Sequence, residues 1–394
     1  MNRLFTISNQ LDSLTIFHNL LDTPVMMYLK DLLSCTDDPF FAVKSYSDFV
    51  SELFQHTDNL SDYIYQFVLE DENFYVKDKA RGKSISSVIE DCLENELKIL
   101  KELSLLSSKK VKSTISYDGF LPDWNNRLYD FTTSYQERLQ NIHRFGYGMY
   151  AKYHAFTLTN GSIMPVKYPD TQTLEHFTRY EKQRAPIIQN TLVLLKGEYA
   201  SNVLLYGDAG TGKSSTVKAI VNRYKDEGLR LIEVKKHEIF YLPDLLEALS
   251  ENPLKFIIFI DDLSFAKNDD NFSTLKAILE GGVSARSKNV AIYATSNRRH
   301  LVKEQLSDRD GDEVHINDTL QEITSLAARF GLTVTFEKPN KDVYLQIVRS
   351  LAAEYGLDLN DEQLILRAEA FAIRNNGRSP RTARQFVELQ KSGL

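Results

Sequence analysis

The run Gly207-Asp208-Ala209-Gly210-Thr211-Gly212-Lys213-Ser214 constrains this chain more than any other segment of similar length. Glycines at 207, 210 and 212 suit neither a helix interior nor a strand interior. The apolar S-N-V-L-L-Y leads into the run, and a stretch of helical period follows it through Val221. A strand, a tight turn and a helix are therefore expected, the unit from which parallel sheets are built. In such a turn the backbone N–H groups converge, and the start of the helix adds the positive end of its dipole, so the loop is suited to hold phosphate oxygens.

The run fits G-x-x-x-x-G-K-[ST] in the strand-to-helix context which that pattern requires. Gly207, Asp208, Ala209, Gly210, Thr211, Gly212, Lys213, Ser214 and Ser215 are thus the candidates for binding a nucleotide. The Lys213 ammonium is expected on the β and γ phosphates, and the Ser214 hydroxyl on Mg²⁺, so ATP and Mg²⁺ are the expected ligands. Downstream, F-I-I-F-I-D-D-L reads as a buried strand ending in Asp261 and Asp262. Adjacent buried carboxylates need a cation, and Asp261 is the expected second metal residue, acting through the metal's water shell. A third apolar strand, N-V-A-I-Y-A-T-S-N, ends on Thr295, Ser296 and Asn297.

The strands L-R-L-I-E-V, K-F-I-I-F-I and N-V-A-I-Y-A-T-S alternate with helices, which gives an α/β fold with a parallel sheet. Residues 168–338 are assigned to this domain, with a helix from about Glu181 ending at Gly197 before the first strand. Residues 339–394 return to helical period and read as a small helical lid. Residues 1–167 read as a mostly helical amino-terminal domain. The boundary is placed at the turn residues Asn160-Gly161 and Tyr168-Pro169-Asp170. Within the first domain Ile85, Val88, Ile89, Cys92, Leu93, Leu97, Leu100 and Leu103 form one helical stripe, expected to pack into that domain's own core. Lys109, Lys110 and Lys112 read as a solvated loop.

The chain has 394 residues, 26% of them charged, and 42% are hydrophobic, the balance of a folded protein. A net charge of -7 gives no support to general binding of nucleic-acid backbones, although a local basic groove is compatible with it. Cys35 and Cys92 stand apart, without a metal-ligand pattern or a disulfide framework. No apolar run reaches membrane-spanning length and the opening residues lack the features of a secretory signal, so a cytoplasmic protein without a membrane partner is expected.

The segments F-I-I-F-I-D-D-L-S-F, A-T-S-N-R-R-H-L, A-A-R-F-G-L and G-R-S-P-R-T-A-R-Q-F, together with the glycine loop, resemble those of AAA+ ATPases. More particularly they resemble the uncharacterised family known as domain of unknown function 815, from about Tyr168-Pro169-Asp170 onward. The resemblance implies that Asp262 orients and activates the attacking water, at a position where many AAA+ proteins carry the longer glutamate. A cap or turn acid is the alternative for Asp262. It implies that Asn297 fixes that water near the γ-phosphate, and that Arg329 enters a neighbouring subunit's site. Arg329 is equally well read as a surface arginine favourable to the helix dipole. Ser379 reads as a helix cap with Pro380 in the first turn, which holds Arg381 near the helix start, where a sensor arginine is expected. Arg378 and Arg384 are close enough to be confused with it. Ile239-Phe240-Tyr241 suits a substrate-gripping pore loop or, more simply, a strand-to-helix turn. The implied function is a homo-oligomeric ATPase that remodels or loads a macromolecular target. A nucleotide-gated scaffold with little turnover is the alternative, and a small-molecule kinase fits the lid and the polar strand end less well.

Overall fold

The computed structural model describes residues 3–34, 39–265, 270–280, 287–297, 328–358, 360–375 and 377–393. Cys35, Arg298, Arg299, His300 and residues 325–327 lie outside them. The chain divides into two compact units, Met1–Lys152 and Tyr153–Leu394.

The first unit is helical. Its elements are α1 (Arg3–Asp12), α2 (Pro24–Ser34), α3 (Pro39–Phe54), α4 (Leu60–Glu70), α5 (Phe74–Ala80), α6 (Ser87–Ser104), α7 (Ser108–Lys112), α8 (Phe131–Gln140), α9 (Ile142–Phe145) and α10 (Met149–Lys152). Asn59 and Asn73 begin α4 and α5 by accepting backbone N–H bonds, which satisfies donors that a helix start leaves open. On α6 the expected stripe is turned inward, with Leu93, Leu97, Leu100 and Leu103 in one core with Phe17, Phe49 and Trp124. Val88, in the first turn, departs from it at 75% exposure. Glu96 lies buried on the same face and is satisfied by the turn after α1, accepting from the N–H groups of Thr15 (2.7 Å) and Phe17 (3.0 Å) and from the Thr15 hydroxyl. The lysine segment read as a loop is instead α7, where Ser107 caps the start and Lys112 pairs with Asp123 at 2.8 Å.

The second unit is built on β1 (Ala155–Thr159), β2 (Ser162–Pro165), β3 (Val203–Gly207), β4 (Leu229–Glu233), β5 (Lys255–Ile260), β6 (Val290–Ser296) and β7 (Leu332–Phe336). They form one sheet in the order β2-β1-β4-β5-β6-β3-β7, parallel throughout except for the β1–β2 hairpin. Helices α11 (Glu181–Leu195), α12 (Lys213–Tyr224), α13 (Leu242–Leu249) and α14 (Asp270–Glu280) accompany it. Strands β3, β4, β5 and β6 are buried along most of their length and largely apolar, as strands covered on both faces are. The expected α/β fold with a parallel sheet is what the structure has. Because β6 runs between β5 and β3, the carboxyl ends of all three strands meet at one edge of the sheet, where parallel sheets place their ligands.

Helices α15 (Lys341–Tyr355), α16 (Asp361–Arg374) and α17 (Pro380–Lys391) follow β7 and share a core of their own around Tyr344, Val348, Leu351, Ala368 and Phe386. This is the expected helical lid.

The compact units divide at Lys152, upstream of the expected boundary at residue 167. The Asn160-Gly161 turn that suggested a linker joins β1 to β2, with Thr159 opposite Ser162 and both turn residues at positive φ, 50° and 75°. That is the two-residue turn whose twist matches a hairpin, and β1 then adds to β4. Strand β7, from L-T-V-T-F, was likewise unforeseen and pairs with β3 along its length.

Candidate functional site

The glycine loop is pinned from behind. Gly207 has φ 131°, and a Cβ there would stand 2.1 Å from the Phe336 carbonyl oxygen on β7. The Asp208 N–H donates to that same oxygen at 3.0 Å, while the Asp208 carboxylate accepts from the Lys338 N–H at 2.8 Å. Gly207 and Asp208 thus anchor the loop, and Ala209, Gly210, Thr211, Gly212, Lys213, Ser214 and Ser215 line a cavity of about 490 Å³. Gly210 and Gly212 take left-handed φ of 78° and 91°, which side chains resist. The lid meets the loop directly, for the Arg381 N–H donates to the Gly210 carbonyl at 3.2 Å.

Lys213 opens α12 and is only 6% exposed. Its ammonium donates to the carbonyls of Gly207 (2.9 Å) and Asp208 (2.7 Å) and to Asn297 Oδ1 (2.9 Å). Burial lowers its pKa, against the opposing pull of Asp208, Asp261 and Asp262, while Arg381 adds to the lowering.

The acids at the end of β5 are held by groups from two neighbouring elements. Ser214 on α12 donates to Asp261 Oδ1 at 2.6 Å, and the Thr295 hydroxyl on β6 donates to the same oxygen at 2.5 Å. Thr295 also accepts from the Asp262 N–H at 2.9 Å. Asp262 has φ 52°, unusual for a side chain larger than glycine, and its carboxylate accepts from Asn297 Nδ2 at 2.8 Å. Among the described residues, this carboxylate is therefore held by a side chain and not by a helix start. Thr295 thus joins the acid pair, through the side chain of Asp261 and the backbone of Asp262.

Ser214 and Asp261 present hard oxygen donors in contact with each other, the donor type that Mg²⁺ selects. No cluster of three or more His, Cys, Asp and Glu suited to a metal occurs among the described residues. A two-donor protein site leaves the remaining positions of an octahedral ion to phosphate oxygens and water, so the residues present fit magnesium held with a nucleotide.

The segment leading into α11 and the lid also line the cavity, through Phe177, Tyr180 and Arg184 of the first and Ile347 and Leu351 of the second. Arg179 and Tyr180 both have positive φ (75° and 65°), and the Tyr180 hydroxyl donates to the Glu337 carbonyl at 2.6 Å, tying this segment to the lid linker. Sequence reasoning gave these residues no site role, although Tyr180 to Arg184 lie at the start of α11, in the stretch that resembles the family.

The three arginines near the start of α17 are separated by the structure. Arg378 is bound by both Glu369 oxygens, at 2.9 and 2.6 Å, whereas Arg381 and Arg384 line the cavity. Ser379 caps α17 by accepting from the Thr382 N–H at 3.0 Å. Arg329 does not line this cavity and is paired with Glu280 at the end of α14. Ile239-Phe240-Tyr241 lies in a 3₁₀ turn between β4 and α13, with Ile239 buried and Phe240 70% exposed. No described helix is long and apolar enough to cross a membrane.

The chain belongs to the family described as "Protein of unknown function (DUF815)", which matches residues 151–393. Among solved structures it is similar to the Thermotoga maritima RuvB Holliday junction branch migration motor, with 16% identity over 55% of this chain and 63% of that one and a TM-score of 0.37. Two variants of the same Thermotoga maritima protein match at 16% identity and TM-scores of 0.39 and 0.38, again over 55% of this chain and 64% and 63% of theirs. The chain thus spans less than two thirds of the length of those solved structures. The strand order, the glycine loop between β3 and α12 and the three helices after β7 together give an α/β fold whose cavity lies at the carboxyl ends of its parallel strands.

Proposed function

We propose that this protein binds MgATP and hydrolyses it, working as a homo-oligomer whose nucleotide state drives the remodelling or loading of a macromolecular partner. The observation that carries the reading is the contact of Ser214, in the first turn of α12, with Asp261 at the end of β5, 2.6 Å apart. A buried lysine reaches the same place through Asn297.

Each side chain then has a defined task. The loop N–H groups from Ala209 to Ser215 bind the phosphates, and Lys213 supplies the balancing charge. Ser214 and Asp261 hold magnesium, which when bound neutralises phosphate charge and aligns the transferred group. Asp262 accepts the proton of the attacking water or orients it, and Asn297 fixes the carboxylate in the direction that water must approach. Thr295 keeps the two carboxylates apart in function by hydrogen-bonding the side chain of one and the backbone of the other. Arg381 and Arg384 bring the lid's charge to the cavity. Arg329 lies outside its own chain's cavity, and in this reading it acts in a neighbour's.

A slow nucleotide-gated scaffold is the second reading. It is favoured by Asp262 being one methylene shorter than glutamate and by the pairing of Arg329 with Glu280. Turnover measured with Mg²⁺ and with EDTA tests the first reading. Hydrolysis is expected only with Mg²⁺ and is expected to fall about 100-fold or more in Asp261→Ala. EDTA-insensitive hydrolysis would contradict the metal assignment, and tight ATP retention without turnover would favour the scaffold.

A further inference from the structure

Arg184 on α11 is buried, at 6% exposure, yet it spends little of its hydrogen-bonding capacity on the protein. A guanidinium offers five N–H donors. Among the described residues, its one hydrogen bond is a long 3.5 Å contact from Nη2 to the Phe177 carbonyl. Its one carboxylate neighbour, Glu181, stands 3.7 Å away at a well-exposed position. The guanidinium lies over the Phe177 ring, 5.2 Å from its centroid, and opens on the nucleotide cavity. Burial pulls its pKa down, against the weaker opposing pull of Glu181. Its spare N–H donors reach the cavity, where a ligand acceptor can take them.

Position narrows the acceptor. The Phe177 ring edge lies 3.7 Å from where a Cβ on Gly212 would stand, so this ring borders the phosphate loop, and Arg184 sits on the ring. The phosphates already have Lys213 and the loop N–H groups. Ile347 and Leu351 add apolar surface to the same cavity, which suits a flat heteroaromatic ring. We propose that Arg184 is a base-recognition residue, donating to a ring nitrogen of the purine with Phe177 as its platform. This rests on the site's being a nucleotide site, as argued above.

The test is equilibrium binding of ATP and of its 1-deaza, 3-deaza and 7-deaza analogues to the full chain in Mg²⁺. One analogue is expected to bind about 10-fold more weakly than ATP, the loss of one charge-assisted hydrogen bond. In Arg184→Gln, ATP itself is expected to weaken by a similar factor and that analogue to lose its disadvantage. In turnover assays the variant should raise KM and leave kcat unchanged, because a base contact is made equally before and during the reaction. The wild-type analogue series stands by itself if the variant does not fold. Equal binding of all three analogues and ATP would overturn the inference while leaving the nucleotide site intact, as would sensitivity confined to 2′-deoxy-ATP. Failure of ATP itself to bind would instead overturn the site.

Discussion

At the scale of single residues, this site is a small set of side chains that hold one another in place. Asp261 receives hydroxyls from two elements, and Asp262 is turned by a left-handed backbone toward Asn297. Asp262→Asn keeps the shape and removes the charge, so MgATP affinity should stay within about 3-fold while turnover falls by about 100-fold or more. Unchanged turnover would make Asp262 structural. Glu96 gives a test of a different kind. Burial raises its carboxyl pKa, but the N–H groups of Phe17, Thr15 and Ile16 and the Thr15 hydroxyl outweigh that and hold it below the ordinary carboxylate value. With the folded pKa depressed, the stabilisation is present above the ordinary glutamate pKa and is lost as pH falls through the folded value. Glu96→Ala should therefore destabilise the protein by about 2–4 kcal/mol at pH 7, with the gap from wild type closing under acid. A gap in denaturant midpoint that is constant with pH would show that the carboxylate's charge plays no part.

At the scale of elements, strands made the site legible and turns concealed part of it. The apolar runs of β3, β4, β5 and β6 are buried except at their ends and are readable because length and flanking residues set them apart from helices. The β1–β2 hairpin was misread because Asn-Gly marks both linkers and hairpin turns, and β1 and β2 are only 5 and 4 residues long. Strand β7 is an equally short edge strand whose role, backing the glycine loop through Phe336, depends entirely on tertiary placement. The same holds for Phe177 and Arg184, since nothing local in F-T-R-Y-E-K-Q-R shows that it folds over a cavity. Glycine 161 tests the hairpin. Its φ is 75°, and an added Cβ would stand 3.0 Å from the Tyr241 ring, so Gly161→Ala should cost about 1–2 kcal/mol in unfolding free energy. Unaltered stability would contradict the left-handed turn.

At the scale of the whole molecule, the question is whether each site is complete in one chain. Arg329 is paired with Glu280 and stands outside the cavity of its own chain. Acting in a neighbour's site, Arg329→Ala should keep ATP affinity and lose turnover, because its charge acts on the transferring phosphoryl group. Mixing Arg329→Ala with Lys213→Ala subunits should partly restore activity, since some interfaces then combine an intact loop with an intact arginine. A verified mixed oligomer without recovery would turn the account toward the self-contained scaffold. All of this rests on the glycine loop being a nucleotide site, and titration of ATP into wild type and Lys213→Ala in the presence of Mg²⁺ tests that most directly. The account predicts saturable binding to the wild type and a loss of about 100-fold or more in a folded Lys213→Ala protein. Equal affinity in the two proteins would contradict it.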